Sequence, residues 1–166
     1  MEFSRRTAQL LHEDHRDTIA IVEMLEDMIA QTKRATPDVG DGSVRRTLEK
    51  TSTMVAHEVS HHFGFEEDEL FTRLADAGDV GIGEHLREEH RVILPLGEQV
   101  AALAGQALAN GFTGQSWAEF RSLAGELAER MLTHIQKEEM ALLPMLDELL
   151  DPETDMQLSE TYASAQ

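Results

Sequence analysis

Apolar residues recur at helical spacing along four long stretches of the chain. In the first stretch Leu11, Thr18, Val22, Leu25 and Ile29 share one stripe. In the last, Phe120, Leu127, Met131, Ile135 and Leu142 do the same. No stretch alternates apolar and polar residues for long enough to predict a strand. Breakers separate the stretches. The runs from Thr36-Pro37 to Gly42, from Ala77-Gly78 to Gly81, and from Asn110-Gly111 to Gly114 read as loops, and Pro152 after Asp151 closes the last piece. Ser43 behind the first loop, and the Ser116-to-Glu119 spacing, read as helix starts. Four helices of roughly 25–35 residues with short connections predict an all-α, antiparallel up-down four-helix bundle over residues 1–152. Residues 153–166 are polar and read as a tail, frayed or forming a short extra turn. Within the third helix, Pro95 removes a backbone hydrogen bond at a cost of ~3 kcal/mol. It either bends that helix around the core or widens the bundle one turn from His90.

Composition narrows the chemistry. Against 32 Asp+Glu the chain sets 14 Lys+Arg, a net charge of −18 with His neutral, which repels phosphate and excludes a duplex-binding surface. It has no Cys, so disulfides, thiolate catalysis and Cys-ligated zinc or iron–sulfur sites are excluded. No uninterrupted apolar run approaches the ~18–20 residues of a membrane span. His12, Glu13, Asp14 and His15 follow the basic start too closely to leave room for the apolar part of a signal peptide. The expectation is a cytoplasmic protein with no nucleic acid or membrane partner. What remains is a set of eight histidines among many carboxylates, the hard-to-borderline metal ligands.

An internal repeat organises them. His62-Phe-Gly-Phe-Glu66-Glu67 aligns with His134-Ile-Gln-Lys-Glu138-Glu139, each followed, after two intervening residues, by Leu and a second apolar residue. Upstream, Asp14-His15-Arg16 aligns with Glu89-His90-Arg91. Two copies of an acid-His-Arg, His-x-x-x-Glu-Glu pattern predict two helix pairs related by a pseudo-twofold axis. Residues four apart on a helix differ by ~40° in direction and ~6 Å in height, so His62 with Glu66, and His134 with Glu138, project from one stripe. His15 and His90 sit on the buried stripes of the other two helices. Any one of these histidines alone reads as a surface or hydrogen-bonded residue. Duplication at matching offsets reads instead as four His and two Glu facing one interior. Buried carboxylates need opposite charge, and Lys and Arg are scarce on these stripes. Two divalent ions bridged by Glu66 and Glu138 would supply it. His12, His57, His61 and His85 acquire no such role, and the remaining acidic residues read mostly as solvated faces.

These motifs resemble the hemerythrin-like, or HHE cation-binding, family, over roughly residues 8–150. The resemblance implies a four-helix bundle with a non-haem di-iron centre, oxo- or hydroxo-bridged, and by motif match its ligands fall on His15, His62, Glu66, His90, His134 and Glu138. The family's oxygen carriers use five histidines; here Leu86 and Leu94 occupy the positions four before and four after His90, and the fifth is missing. Those carriers also place the last carboxylate five residues after its histidine, an offset that Glu139 would meet. The four-His, two-Glu pattern is closer to di-iron proteins associated with nitric-oxide stress and iron–sulfur repair, whose extra Cys-containing domain has no counterpart in this sequence.

Two His, two shared Glu oxygens and a solvent bridge would leave each iron five-coordinate, with an exchangeable position suited to O2, peroxide or NO. Zn or Mn could occupy the same ligands. Three functions follow: capture or sensing of a small ligand in oxidative or nitrosative stress, enzymatic reduction of NO or decomposition of peroxide, or metal storage, metal donation or a structural bundle without turnover.

Overall fold

The computed structural model describes residues 2–32 and 35–165, apart from the side chains of residues 58 and 59. Helix α1 spans Arg6–Gln31, α2 runs over 42–76, α3 spans Gly81–Asn110, α4 runs over 114–149 and α5 spans Pro152–Ser164. There is no strand among the described residues. The first four helices form the expected bundle. α1 and α3 are each flanked by α2 and α4, and α5 lies along α1.

Local chemistry explains the boundaries. Asp41, two residues before the expected Ser43, caps α2 by accepting from the N–H of Ser43 at 2.8 Å and of Val44 at 3.2 Å. α4 starts at a capping box formed by Thr113 and Ser116 rather than by Ser116 and Glu119. The Ser116 hydroxyl accepts from the Thr113 N–H at 2.9 Å and so does the work expected of a Glu. α3 stops at Gly111, whose φ of 78° and ψ of 175° belong to a region that only glycine enters cheaply. It runs unbroken through Pro95. Both Pro95 and Arg91, whose carbonyl loses its helical partner, are exposed, and water can serve that carbonyl. By length and mean hydropathy α3 could pass for a membrane span, but its apolar stripe is buried against α2 and α4.

The C-terminal segment differs from the expectation. Residues 152–164 form a full helix, with Leu158 and Tyr162 buried. Pro152 at its first position and the Asp151 carboxylate accepting from Thr154 N–H start it locally. What holds it is long-range. Arg5, at the N-cap of α1, offers no side-chain cap. Instead Asp155 of α5 accepts from the N–H groups of Arg6 and Thr7, both at 2.8 Å, while Asp147 of α4 accepts from those of Ser4 and Arg5. Replacing Asp155 with Ala is expected to cost about 1–2 kcal/mol, as loss of a helix cap does, and to lower the melting temperature by ~2–4 °C per kcal/mol in a chain of this size. A thermal melt checks it.

The apolar interior is in two pieces. One gathers Val22, Leu25, Phe63, Ile93, Phe120 and Leu127 with their neighbours; the other gathers Leu11, Leu70, Phe71, Leu86, Leu142 and Tyr162 with theirs. A polar layer lies between them.

Candidate metal centre

Six side chains form that layer: His15 from α1, His62 and Glu66 from α2, His90 from α3, and His134 and Glu138 from α4. None is more than 3% exposed. The six residues singled out in the sequence are therefore brought to one place, in two overlapping sets. His15 and His62 share Glu66 and Glu138 with His90 and His134, and the donor atoms within each set lie within 4.8 Å of one another.

The distances sort the carboxylate oxygens. Glu138 Oε2 is 2.7 Å from His15 Nε2, and its Oε1 is 2.7 Å from His134 Nε2. Glu66 Oε1 is 2.8 Å from His62 Nε2, and its Oε2 is 3.3 Å from His90 Nε2. One oxygen of each carboxylate thus faces each histidine pair. Within the pairs the Nε2 atoms are 3.3 Å apart for His15 and His62, and 3.1 Å for His90 and His134. All four carboxylate oxygens are buried without a well-aligned hydrogen bond despite these short distances. The imidazoles and carboxylates are gathered closely without being aligned as donor and acceptor pairs. That is the arrangement of a donor set for cations, and the residues fit a pair of metal ions.

A ring of acids holds the imidazoles by their outer nitrogens. His15 Nδ1 meets Glu139 Oε1 at 2.6 Å, and His90 Nδ1 meets Glu67 Oε1 at 2.9 Å. His134 Nδ1 meets Glu89 Oε2 at 2.8 Å. His62 Nδ1 is 3.2 Å from the Tyr162 hydroxyl, which itself donates to Asp14. Glu139, Glu67 and Glu89 each accept an Nδ1 proton and leave the Nε2 lone pair facing inward, the tautomer a metal ligand needs. The pattern obeys the repeat. Glu67 and Glu139 each serve the other half's histidine, while Glu89 serves its own and Asp14 lies 3.8 Å from the Nδ1 of its own. Glu138 therefore belongs to the interior and Glu139 to the outer ring, where it also meets His12 Nδ1 at 2.8 Å.

The backbone repeats as well. At both interior glutamates the helix widens to a π turn, with Phe71 N–H bonding Glu66 C=O and Leu143 N–H bonding Glu138 C=O. The extra residue in the turn keeps Glu66 and Glu138 inward and returns Leu70, Phe71, Leu142 and Leu143 to the core beneath.

Electrostatics follow from burial against carboxylates. Desolvation pulls the His15 pKa down, but the close carboxylates of Glu138 and Glu139 outweigh it and raise the value to about 9. Desolvation opposes His134 too, yet the charge of Glu138 and the contacts with Glu138 and Glu89 raise it to about 10. His62 and His90 also shift upward. Burial would raise Glu89, but His134 and Lys137 bring it down to about 2, and Glu138 is held well below the usual carboxylate range, against its burial, chiefly by His134.

The other histidines stay outside the interior. His57 is exposed and tilts over His61, His61 stacks on Tyr162, and His85 lies at the surface beside Lys137. Sequence reasoning missed the outer ring. Its signal was present, because an acid precedes His15 and His90 and a second Glu follows Glu66 and Glu138; yet Asp14 and Glu89 read only as part of the repeat, Glu67 as solvated charge and Glu139 as an alternative last ligand. Tyr162 carried no signal at all.

The family model described as Hemerythrin HHE cation binding domain matches residues 6–146. No curated protein matches the chain.

Proposed function

Because the chain belongs to the hemerythrin HHE cation-binding domain family, we propose that its interior holds two iron ions and that the protein handles O2, peroxide or NO in oxidative or nitrosative stress or iron homeostasis. The observation that supports this reading is the division of Glu66 and Glu138, one oxygen toward each histidine pair. His15 and His62 would hold one ion and His90 and His134 the other, with both glutamates shared. Iron in such a site supplies one-electron chemistry and exchangeable positions for a small ligand. Zn or Mn would use the same donors.

The chain's own residues supply orientation and enclosure. Glu67, Glu89 and Glu139 hold His90, His134 and His15 by Nδ1 and keep each Nε2 turned inward. The apolar clusters above and below exclude water. A groove of about 570 Å³ between α2 and α3, lined by Val55, Phe63, Gly64, Leu94 and His90 among others, brings open space up to one imidazole of the centre. The depth of the six side chains favours a resident centre over storage or donation, which need ready exchange.

Metal analysis of protein purified with iron supplied, together with visible absorption before and after addition of azide, peroxide or NO, tests the reading. The expected outcome is about two irons per chain and bands that respond to the added ligand. One tightly bound ion, or none, would overturn the dinuclear centre. Two irons whose bands ignore every small ligand would overturn the proposed activity.

A further inference from the structure

A threonine buried on a helix commonly returns its hydroxyl to the carbonyl four residues back. Thr47 and Thr51 of α2 do so, donating to Ser43 C=O at 3.0 Å and to Thr47 C=O at 2.8 Å. Thr18 of α1 does not. It is 1% exposed, and its Oγ1 is buried with no hydrogen-bond partner among the described residues. It shares that property with the four oxygens of Glu66 and Glu138. Burying a hydroxyl unpaired costs stability, so the position suits an acceptor from outside the chain.

Thr18 lies beside the centre. It follows His15 by three residues, which makes the two side chains neighbours one turn apart on the buried stripe of α1. A groove of about 410 Å³ between α1 and α2, lined by Asp14, Ile21, Lys50, Met54 and His57 among others, brings open space up to it. In the repeat the equivalent position, three residues after His90, is Ile93, which is 2% exposed. One half of the centre thus carries a hydroxyl beside its histidine, and the other carries a hydrocarbon side chain there.

Resting on the two-ion reading above, we propose that Thr18 is a ligand contact of the His15–His62 half of the centre. Its hydroxyl donates a hydrogen bond to a small anionic ligand, of the azide or peroxide class, that enters between α1 and α2. The contact satisfies the buried hydroxyl and draws the acceptor to that half, since Ile93 offers no donor at the equivalent position. Thr18 therefore selects for ligands that carry negative charge on an acceptor atom.

The test is titration of the iron-loaded full chain with azide, followed through its visible bands, with iron content and thermal melts recorded for every variant. Thr18→Val keeps the shape and removes only the hydroxyl. It is expected to weaken azide binding by roughly tenfold or more, the scale of a hydrogen bond to a charged group, and to retain iron as wild type does. Metal-free Thr18→Val is expected to melt no lower than wild type, because no partner within the chain is lost. Thr18→Ser keeps the donor and is expected to bind azide as wild type does, and Ile93→Val is expected to leave azide affinity unchanged. Thr18→Ala, which also lacks the hydroxyl, carries the comparison if the valine variant fails to fold. Unchanged azide affinity without the hydroxyl, equal weakening by Ile93→Val, or weakened binding by Thr18→Ser would each overturn the assignment. Iron loss or a lower melting temperature in Thr18→Val would make the hydroxyl structural and overturn it too. Wild-type protein that takes up no iron, or holds it and ignores azide, would overturn the reading of the centre itself, and the role of Thr18 with it.

Discussion

Glu138→Ala is expected to leave the chain unable to retain either metal ion, whereas Glu139→Ala keeps both at weakened affinity. Adjacent glutamates on one helix thus carry unequal weight. Both Glu138 oxygens are buried between the histidine pairs, 2.7 Å from an Nε2 on each side, so its removal strips one donor from each ion at once. Glu139 contacts only the outer nitrogens of His15 and His12. Its loss disturbs one imidazole, an effect of about 10–100-fold in affinity. The metal-to-protein ratio after gel filtration distinguishes them, and Glu138→Gln, which preserves shape but not charge, guards against a general packing defect. Two ions retained by Glu138→Ala but lost by Glu139→Ala would reverse the assignment.

The second large effect is on protons. With no metal bound, the imidazoles of His15 and His134, raised to about 9 and about 10, carry protons at pH 7, and His62 and His90 are shifted in the same direction. Metal needs their lone pairs, so uptake of two divalent ions at neutral pH is expected to release protons, those of His15 and His134 at the least. The sign for stability follows. A raised histidine pKa adds stability to the metal-free protein that is complete below the unfolded value of 6.5 and is lost as pH climbs through about 9–10. The lowered carboxyl of Glu89 acts at the other end, adding stability above 4.5 that is lost as pH falls toward 2. The rise in melting temperature on adding metal should therefore widen between pH 6 and pH 9 and shrink in acid, where protons compete for the same nitrogens. Titration of zinc into weakly buffered protein at pH 7, with the released acid measured directly, checks the count. Release of one proton or none would show that the imidazoles are neutral before metal arrives.

Much of this centre was legible along the chain because helices convert spacing into direction. The apolar stripes of Leu11 to Ile29 and Phe120 to Leu142, cut by glycine and proline, specify a bundle. The duplicated His-x-x-x-Glu places His62 with Glu66 and His134 with Glu138 on single faces by helical geometry alone. Local rules failed where the partner was distant. Ser116 looked like a cap because Glu119 follows it, but Thr113 was better placed for the role.

Tertiary structure decided three further matters. Glu138 and Glu139 are neighbours with the same chemistry, and only the direction of α4 against α1 turns one inward and the other toward His15 and His12. Glu67 and Glu89 share the composition of the solvated acidic faces, and only packing across the bundle brings them to the Nδ1 atoms of His90 and His134. Tyr162 sits in a polar segment with little amphipathic pattern. Its helix is fixed by Asp155 capping a helix at the opposite end of the chain, a contact that no local periodicity encodes. Periodicity reports which face of a helix is buried, and that was enough for the six interior residues. Which atoms meet across the interior depends on how the helices are set against one another, and that is established only when the whole chain has packed.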